Sequence, residues 1–186
     1  MPRTTSRTRS VVGLPPWAVV TAKRRQHIER VARLLAEWGG VMGVSAREQR
    51  RWLRAAWMHD ALKDAPRGVQ RKLAAPFDGP PPLWHGPAAA RRAELDGERD
   101  RGVLDAVRYH SLGFAGWDRV GRMLYLADFL EDGRRHRDSA RAAQADRVPE
   151  DPDGVLRDVA RDRIAHGIRK GWPLFPETVA FWNALA

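Results

Sequence analysis

Four of the six histidines in this chain stand in an ordered series with two carboxylates: His27, the adjacent pair His59-Asp60, His85, His110 and Asp128. Imidazoles and carboxylates are the ligand types of hydrolytic metal centres, and a chain without cysteine cannot build the thiolate site of a zinc finger. Together they offer four imidazoles and two carboxylates, enough for two divalent ions with Asp60 bridging. Open coordination positions would take water and substrate.

Each residue taken alone is ambiguous. His59 and Asp60 diverge by about 100° around a helix, so they cannot both face a distant core, yet both can reach a metal seated at a helix end. Lys63 follows Asp60 by three residues and His59 by four, which predicts the same helical face. A cation there could hold an anionic substrate against the metals, or pair with Asp60 or Asp64. His27 precedes the apolar stripe that begins at Ile28, a position equally suited to a core-edge residue. His85 opens a predicted helix, where free backbone N–H groups face outward. His110 ends another. Asp128 interrupts the apolar run Met123-Leu124-Tyr125-Leu126-Ala127 and Phe129-Leu130. A buried carboxylate needs a partner, and a metal or an arginine would serve. His136 and His166 fall outside the series and are expected to be structural or surface residues.

The elements that must position these groups are helical. Ile28, Val31, Leu34, Leu35 and Trp38 recur at intervals of three and four, which predicts an amphipathic helix over 17–38 ended by Gly39-Gly40. Ser45 with Glu48 forms a capping box that opens the next helix, running to His59-Asp60 and closed by Pro66. A short helix over 68–75 leads into the proline-rich stretch 76–82, which is expected to be loop. Further helices are expected at 84–95, 99–111, 117–131, 152–170 and 176–185. No period-two alternation appears, so the fold class is all-α.

At 186 residues the chain suits one domain with a substantial core. Residues 1–16 are rich in Arg, Ser and Thr, lack any acid and end in Pro15-Pro16, the composition of a flexible basic tail before a domain over 17–186. No apolar run reaches the roughly 20 residues of a membrane span, and nothing resembles a secretory signal, so a soluble, cytoplasmic protein is expected. Lys and Arg total 33 against 23 Asp and Glu, a formal charge of +10. Such a field attracts anions, either nucleic acid or phosphorylated small molecules. Much of it belongs on solvated helix faces, as at Arg47, Arg50, Arg51 and Arg54.

From about residue 24 onward the chain resembles the HD-domain phosphohydrolases, and among them the YqeK-type symmetrical diadenosine tetraphosphate hydrolases. The resemblance rests on Arg24 and His27, on His59-Asp60 with Lys63, on Leu83-Trp84-His85-Gly86-Pro87 and on Arg108-Tyr109-His110-Ser111. It continues through Tyr125-Leu126-Ala127-Asp128-Phe129-Leu130-Glu131-Asp132-Gly133-Arg134 and closes with Pro173-Leu174-Phe175-Pro176-Glu177-Thr178. It implies an HD-domain helical bundle with two divalent ions, iron first among them, that cuts diadenosine tetraphosphate into two ADP. By position, His27, His59, Asp60 and Asp128 would hold one ion, and His85 and His110 the second, with Asp60 shared. It also points to a homodimer; nucleic acid is not an expected partner. Imidazole and carboxylate ligands accept manganese and other divalent ions as well.

In the chemistry of such sites, two ions about 3.5–4 Å apart lower the pKa of a shared water and supply hydroxide near neutral pH. Lys63, Arg134 and Arg108 would neutralise charge on the polyphosphate, with Arg24 also on the substrate. Trp84, Tyr109, Phe114 and Trp117 are candidates to line an adenine pocket, or alternatively core. The sequence departs from the family at Ile28 and Arg30, where small or hydroxyl-bearing residues are usual, and at Asp132, where proline is usual. Two other readings compete: an HD phosphohydrolase of a guanosine alarmone or deoxynucleotide, and a basic nucleic-acid-binding or scaffold protein with a vestigial site.

Overall fold

The computed structural model describes residues 13–133 and 139–185. Five of the helices start where the sequence supplies a side chain for their unpaired N–H groups. The Thr21 hydroxyl accepts from the Arg24 amide to open α1 (Ala22–Val41), and Ser45 accepts from the Glu48 amide to open α2 (Ala46–His59). Next come α3 (Arg67–Ala74), a single 3-10 turn (Pro81–Leu83) and α4 (His85–Leu95). Asp100 caps α5 (Arg101–Tyr109) and Asp118 caps α6 (Arg119–Leu130). After α7 (Ser139–Arg147), Asp151 caps α8 (Pro152–Arg169), and α9 (Pro176–Ala184) closes the chain. No strand occurs among the described residues, and the fold is the all-α HD-domain bundle. No helix among them is long and apolar enough to cross a membrane.

The bundle is organised around α2, which packs against α1, α4, α5 and α6. Trp52, Ala55 and Ala56 of α2 are fully buried, and the same core takes in Val31 and Leu35 of α1, Leu104 of α5 and Leu124 and Leu126 of α6. Each large side chain so buried contributes about 1.5–3 kcal/mol. On the outer side, Arg51 of α2 ties the starts of two neighbours together. Its guanidinium donates to Asp100 at 2.7 and 3.0 Å and to Asp118 at 2.6 Å, the caps of α5 and α6. The three helices that carry His59, His110 and Asp128 are thereby held in register by one side chain.

Three local expectations are corrected. Gly39 and Gly40 do not end α1, which runs on to Val41. A Cβ at Gly39 would stand 3.1 Å from Gln49 and 3.3 Å from Val44, so glycine there serves the close approach of α2 rather than a stop. The stretch 76–82 is not all loop, because prolines at the first turn of a helix cost nothing and Pro81–Leu83 closes one 3-10 turn. An unexpected helix, α7, buries only Ala145 and so carries no apolar stripe to betray it. The basic segment 1–16 lies through residue 12 outside the described residues; within the remainder, Pro15 is buried and its carbonyl accepts from the Ala18 amide.

Candidate metal centre

Helix ends deliver the chemistry. His59 is the last residue of α2 and Asp60 its C-cap, His85 is the first residue of α4, and His110 is the C-cap of α5. His27 projects from α1, and Asp128 from the last turn of α6. All six are buried, from 0% exposure at His59 to 9% at His27. So many polar groups withdrawn from water at one place are stable only if they satisfy one another or hold a cation.

They form two clusters that share one carboxylate: His27, His59 and Asp60, then Asp60, His85 and His110. Asp60 Oδ2 faces His27 Nε2 at 3.7 Å and His59 Nε2 at 3.8 Å. Its other oxygen, Oδ1, faces His85 Nε2 at 3.2 Å and His110 Nε2 at 3.5 Å. Asp128 Oδ1 joins the first cluster at 3.2 Å from His27 Nε2.

The donor set fits divalent ions on two counts. The Nδ1–H of His59 donates to the Ala56 carbonyl at 2.7 Å, and that of His110 to the Val107 carbonyl at 2.8 Å. A carbonyl can only accept, so each ring presents an Nε2 lone pair inward, the arrangement that fixes a ligating histidine. Secondly, the Nε2 atoms converge in pairs, His27 with His59 at 3.3 Å and His85 with His110 at 3.0 Å. Ligands bound to one ion at about 2.1 Å stand roughly 3–3.4 Å apart.

Electrostatics sort the histidines. Burial lowers His59 to about 4, more than the Asp60 charge raises it, and burial lowers His85 to about 4 despite its bond to Asp60. Both rings are neutral and ligand-ready at pH 7. Burial acts in the same direction on His27, but hydrogen bonds to Asp128 and Glu131 overcome it and raise His27 to about 9. Burial would raise Asp60, yet the surrounding imidazoles hold it well below the usual carboxylate range.

Lys63 reaches the site by a different route from the expected helical face. The helix stops at His59, and the following turn brings Nζ to 3.2 Å from both ring nitrogens of His85. Asp64 is taken by Thr21, whose amide and hydroxyl both donate to it. Burial lowers the Lys63 pKa. Arg24 Nη1 donates to Asp60 Oδ2 at 2.5 Å.

The aromatic candidates divide. Trp84 is half-buried, its indole N–H donating to the Gly79 carbonyl at 2.6 Å, and half-buried Tyr109 stacks on Phe114 at 4.5 Å. Trp117 is core, packed against Tyr125 and Phe181, with its N–H on the Asp105 carbonyl. Arg108 exerts its charge on Glu94 and Asp105. Arg134 and His136 lie outside the described residues, and His166 is exposed on α8.

Two further residues, neither assigned a role from the sequence, meet the site. Buried Glu131 lies 3.2 Å from His27 Nδ1, accepts from Arg30 Nε and accepts from the Gly133 amide at 2.7 Å. Burial opposes its ionisation, but these partners lower it to about 2. Arg163 stands 3.7 Å from Asp128. The unusual Arg30 and Asp132 meet each other at 3.7 Å, while Ile28 is fully buried.

The HD domain family model matches residues 24–148, more than half of the chain, and the chain belongs to that family. With two buried clusters sharing an aspartate, it is a metal-dependent phosphohydrolase of the HD class. It is similar to the symmetrical bis(5'-nucleosyl)-tetraphosphatase of Bacillus subtilis (strain 168), with 27% identity over 139 residues, 70% of this chain and 74% of that one. The protein of the same name from Halalkalibacterium halodurans is 28% identical over 105 residues, 55% of this chain and 54% of that one. Among solved structures, a predicted HD superfamily hydrolase involved in NAD metabolism from Clostridium acetobutylicum superposes with a TM-score of 0.77 at 23% identity. The match covers 89% of this chain and 90% of that one and shows the shared fold.

Proposed function

We propose that this chain hydrolyses dinucleoside polyphosphates, cutting diadenosine tetraphosphate symmetrically into two ADP. The observation that carries the reading is the division of Asp60, one oxygen toward each histidine pair. It is supported by the name that two relatives share. His27, His59, Asp60 and Asp128 would hold one divalent ion, and Asp60, His85 and His110 the other; iron or manganese suits the ligands. When bound, such a pair supplies Lewis-acid charge and activates water at neutral pH.

The chain's own groups do the rest. Water adds across the central P–O–P linkage, and the bridging oxygen leaves with one ADP. Lys63, fixed against His85, neutralises charge on the attacked phosphate, and Arg24 binds a neighbouring one. Trp84 and Tyr109 offer half-buried faces for a nucleobase. Arg108 and Arg134 are assigned to the polyphosphate by resemblance.

The test is product analysis with metal-replete protein. ADP as the sole nucleotide product is expected. AMP with ATP, or turnover of a guanosine alarmone or deoxynucleotide in place of diadenosine tetraphosphate, overturns the assignment.

A further inference from the structure

Arg163 lies on α8, beyond residue 148 where the family match ends. Its side chain is 22% exposed, and its guanidinium lies 4.4 Å from the centre of the Tyr125 ring. Nη2 donates to the Ser111 carbonyl at 3.1 Å, while Nη1 stands 3.7 Å from Asp128 Oδ2. Nη1 is buried with no hydrogen-bond partner among the described residues and faces the Asp128 carboxylate as an ion pair.

The two contacts belong to opposite halves of the metal centre. Asp128 presents its other oxygen to His27, in the first cluster. Ser111 follows His110, in the second, and its hydroxyl lies 3.2 Å from His110 Nε2 and 3.4 Å from His85 Nε2. One guanidinium therefore spans from the first ion's carboxylate to the turn that carries the second ion's imidazole. The planar guanidinium fork holds its two arms at fixed separation, whereas an ammonium is a compact charge without that fixed geometry.

We propose that Arg163 is a positioning residue that holds Asp128 and the turn after His110 in fixed relation, setting the two half-sites at the spacing a dinuclear centre requires. A carboxylate rotates about its last bond with little resistance. With Oδ2 drawn to Arg163, Oδ1 stays aimed at His27. The inference rests on the dinuclear reading of the site, but not on the identity of the substrate.

The test is a Mn²⁺ titration of the full chain, wild type beside R163M and R163K, with kcat and KM for diadenosine tetraphosphate. Removing a group that orients metal ligands typically costs 10–100-fold in metal affinity or activity. R163M should weaken Mn²⁺ binding by about that factor at one or both sites and lower kcat at least about tenfold, with KM within roughly twofold. R163K keeps the charge but not the planar two-armed guanidinium over Tyr125, and should recover little of either loss; far-UV circular dichroism and urea melts matching wild type for both variants separate this from misfolding. If KM rises while kcat and Mn²⁺ binding hold, Arg163 is a substrate contact and the inference is overturned. The same follows if R163K matches wild type in both readouts. A wild-type chain that takes up no Mn²⁺ overturns the dinuclear reading and the inference together. A chain that binds two ions without cutting the tetraphosphate overturns only the substrate, and the titration still decides the role of Arg163.

Discussion

Arg24 and Asp60 meet at 2.5 Å through the same carboxylate oxygen, Oδ2, that faces His27 and His59. The guanidinium thus contacts the oxygen that an ion in the first cluster would use. In the proposed reading, an ion there would compete for it and leave Arg24 to bind substrate phosphate. Arg24→Ala should leave Mn²⁺ affinity undiminished while raising KM about 10–100-fold, the worth of a charge-assisted hydrogen bond. Calorimetry and initial rates check this; weakened Mn²⁺ binding with unchanged KM would show that Arg24 serves the metal instead.

Asp60→Asn keeps the shape of the bridge but removes its charge and one of its two acceptor oxygens. Because each oxygen faces a separate histidine pair, both half-sites suffer. Metal content after dialysis should fall from two ions per chain to one or none. The same loss should lower kcat by at least about a thousandfold, because charge stabilisation by the ions supplies most of the rate enhancement at such a site.

Glu131→Gln tests the support behind His27. The glutamine retains the size and an acceptor, yet loses the charge that pairs with Arg30 and holds His27 Nδ1. A drop of about 10–100-fold in metal affinity is expected, with the second pair, His85 and His110, least affected.

The Arg51 junction gives a pH prediction remote from the metals. Asp100 is held below its usual range by the Arg51 hydrogen bond, against burial and with help from the Val103 amide. A carboxyl depressed in the folded state stabilises fully above its unfolded pKa of about 3.9, and that contribution is lost as pH falls through the folded value. Asp100→Asn should therefore cost about 1–3 kcal/mol at pH 7 in urea melts. Below pH 4 the gap between variant and wild type should narrow; a constant gap would show that the charge is not what matters.

The first two helices are legible in the sequence because the inner face of α1 carries an apolar period and the start of α2 a capping box at Ser45; the caps Asp100 and Asp118 of α5 and α6 show only in the structure. What escaped has a physical cause in each case. Spacing puts Lys63 on a helical face, because spacing alone does not show that the helix ends at His59. Glu131 contacts His27 across 104 residues and Arg163 contacts Ser111 across 52, distances at which no periodicity operates. Trp117 and Tyr109 are both aromatics near His110, but only the packing of Phe181 tells that Trp117 is core. The separation of Asp60's two oxygens is likewise a property of the folded site, although the shared role of Asp60 follows from the ligand series.

The central claim is that one carboxylate joins two histidine pairs into a single dinuclear centre. Anomalous diffraction from crystals of the metal-replete protein, soaked with ADP, tests it most directly. Two peaks about 3.5–4 Å apart are expected on either side of Asp60, one about 2.1 Å from the Nε2 atoms of His27 and His59 and the other equally close to those of His85 and His110. A single peak, or His85 and His110 more than about 6 Å from any ion, would contradict it.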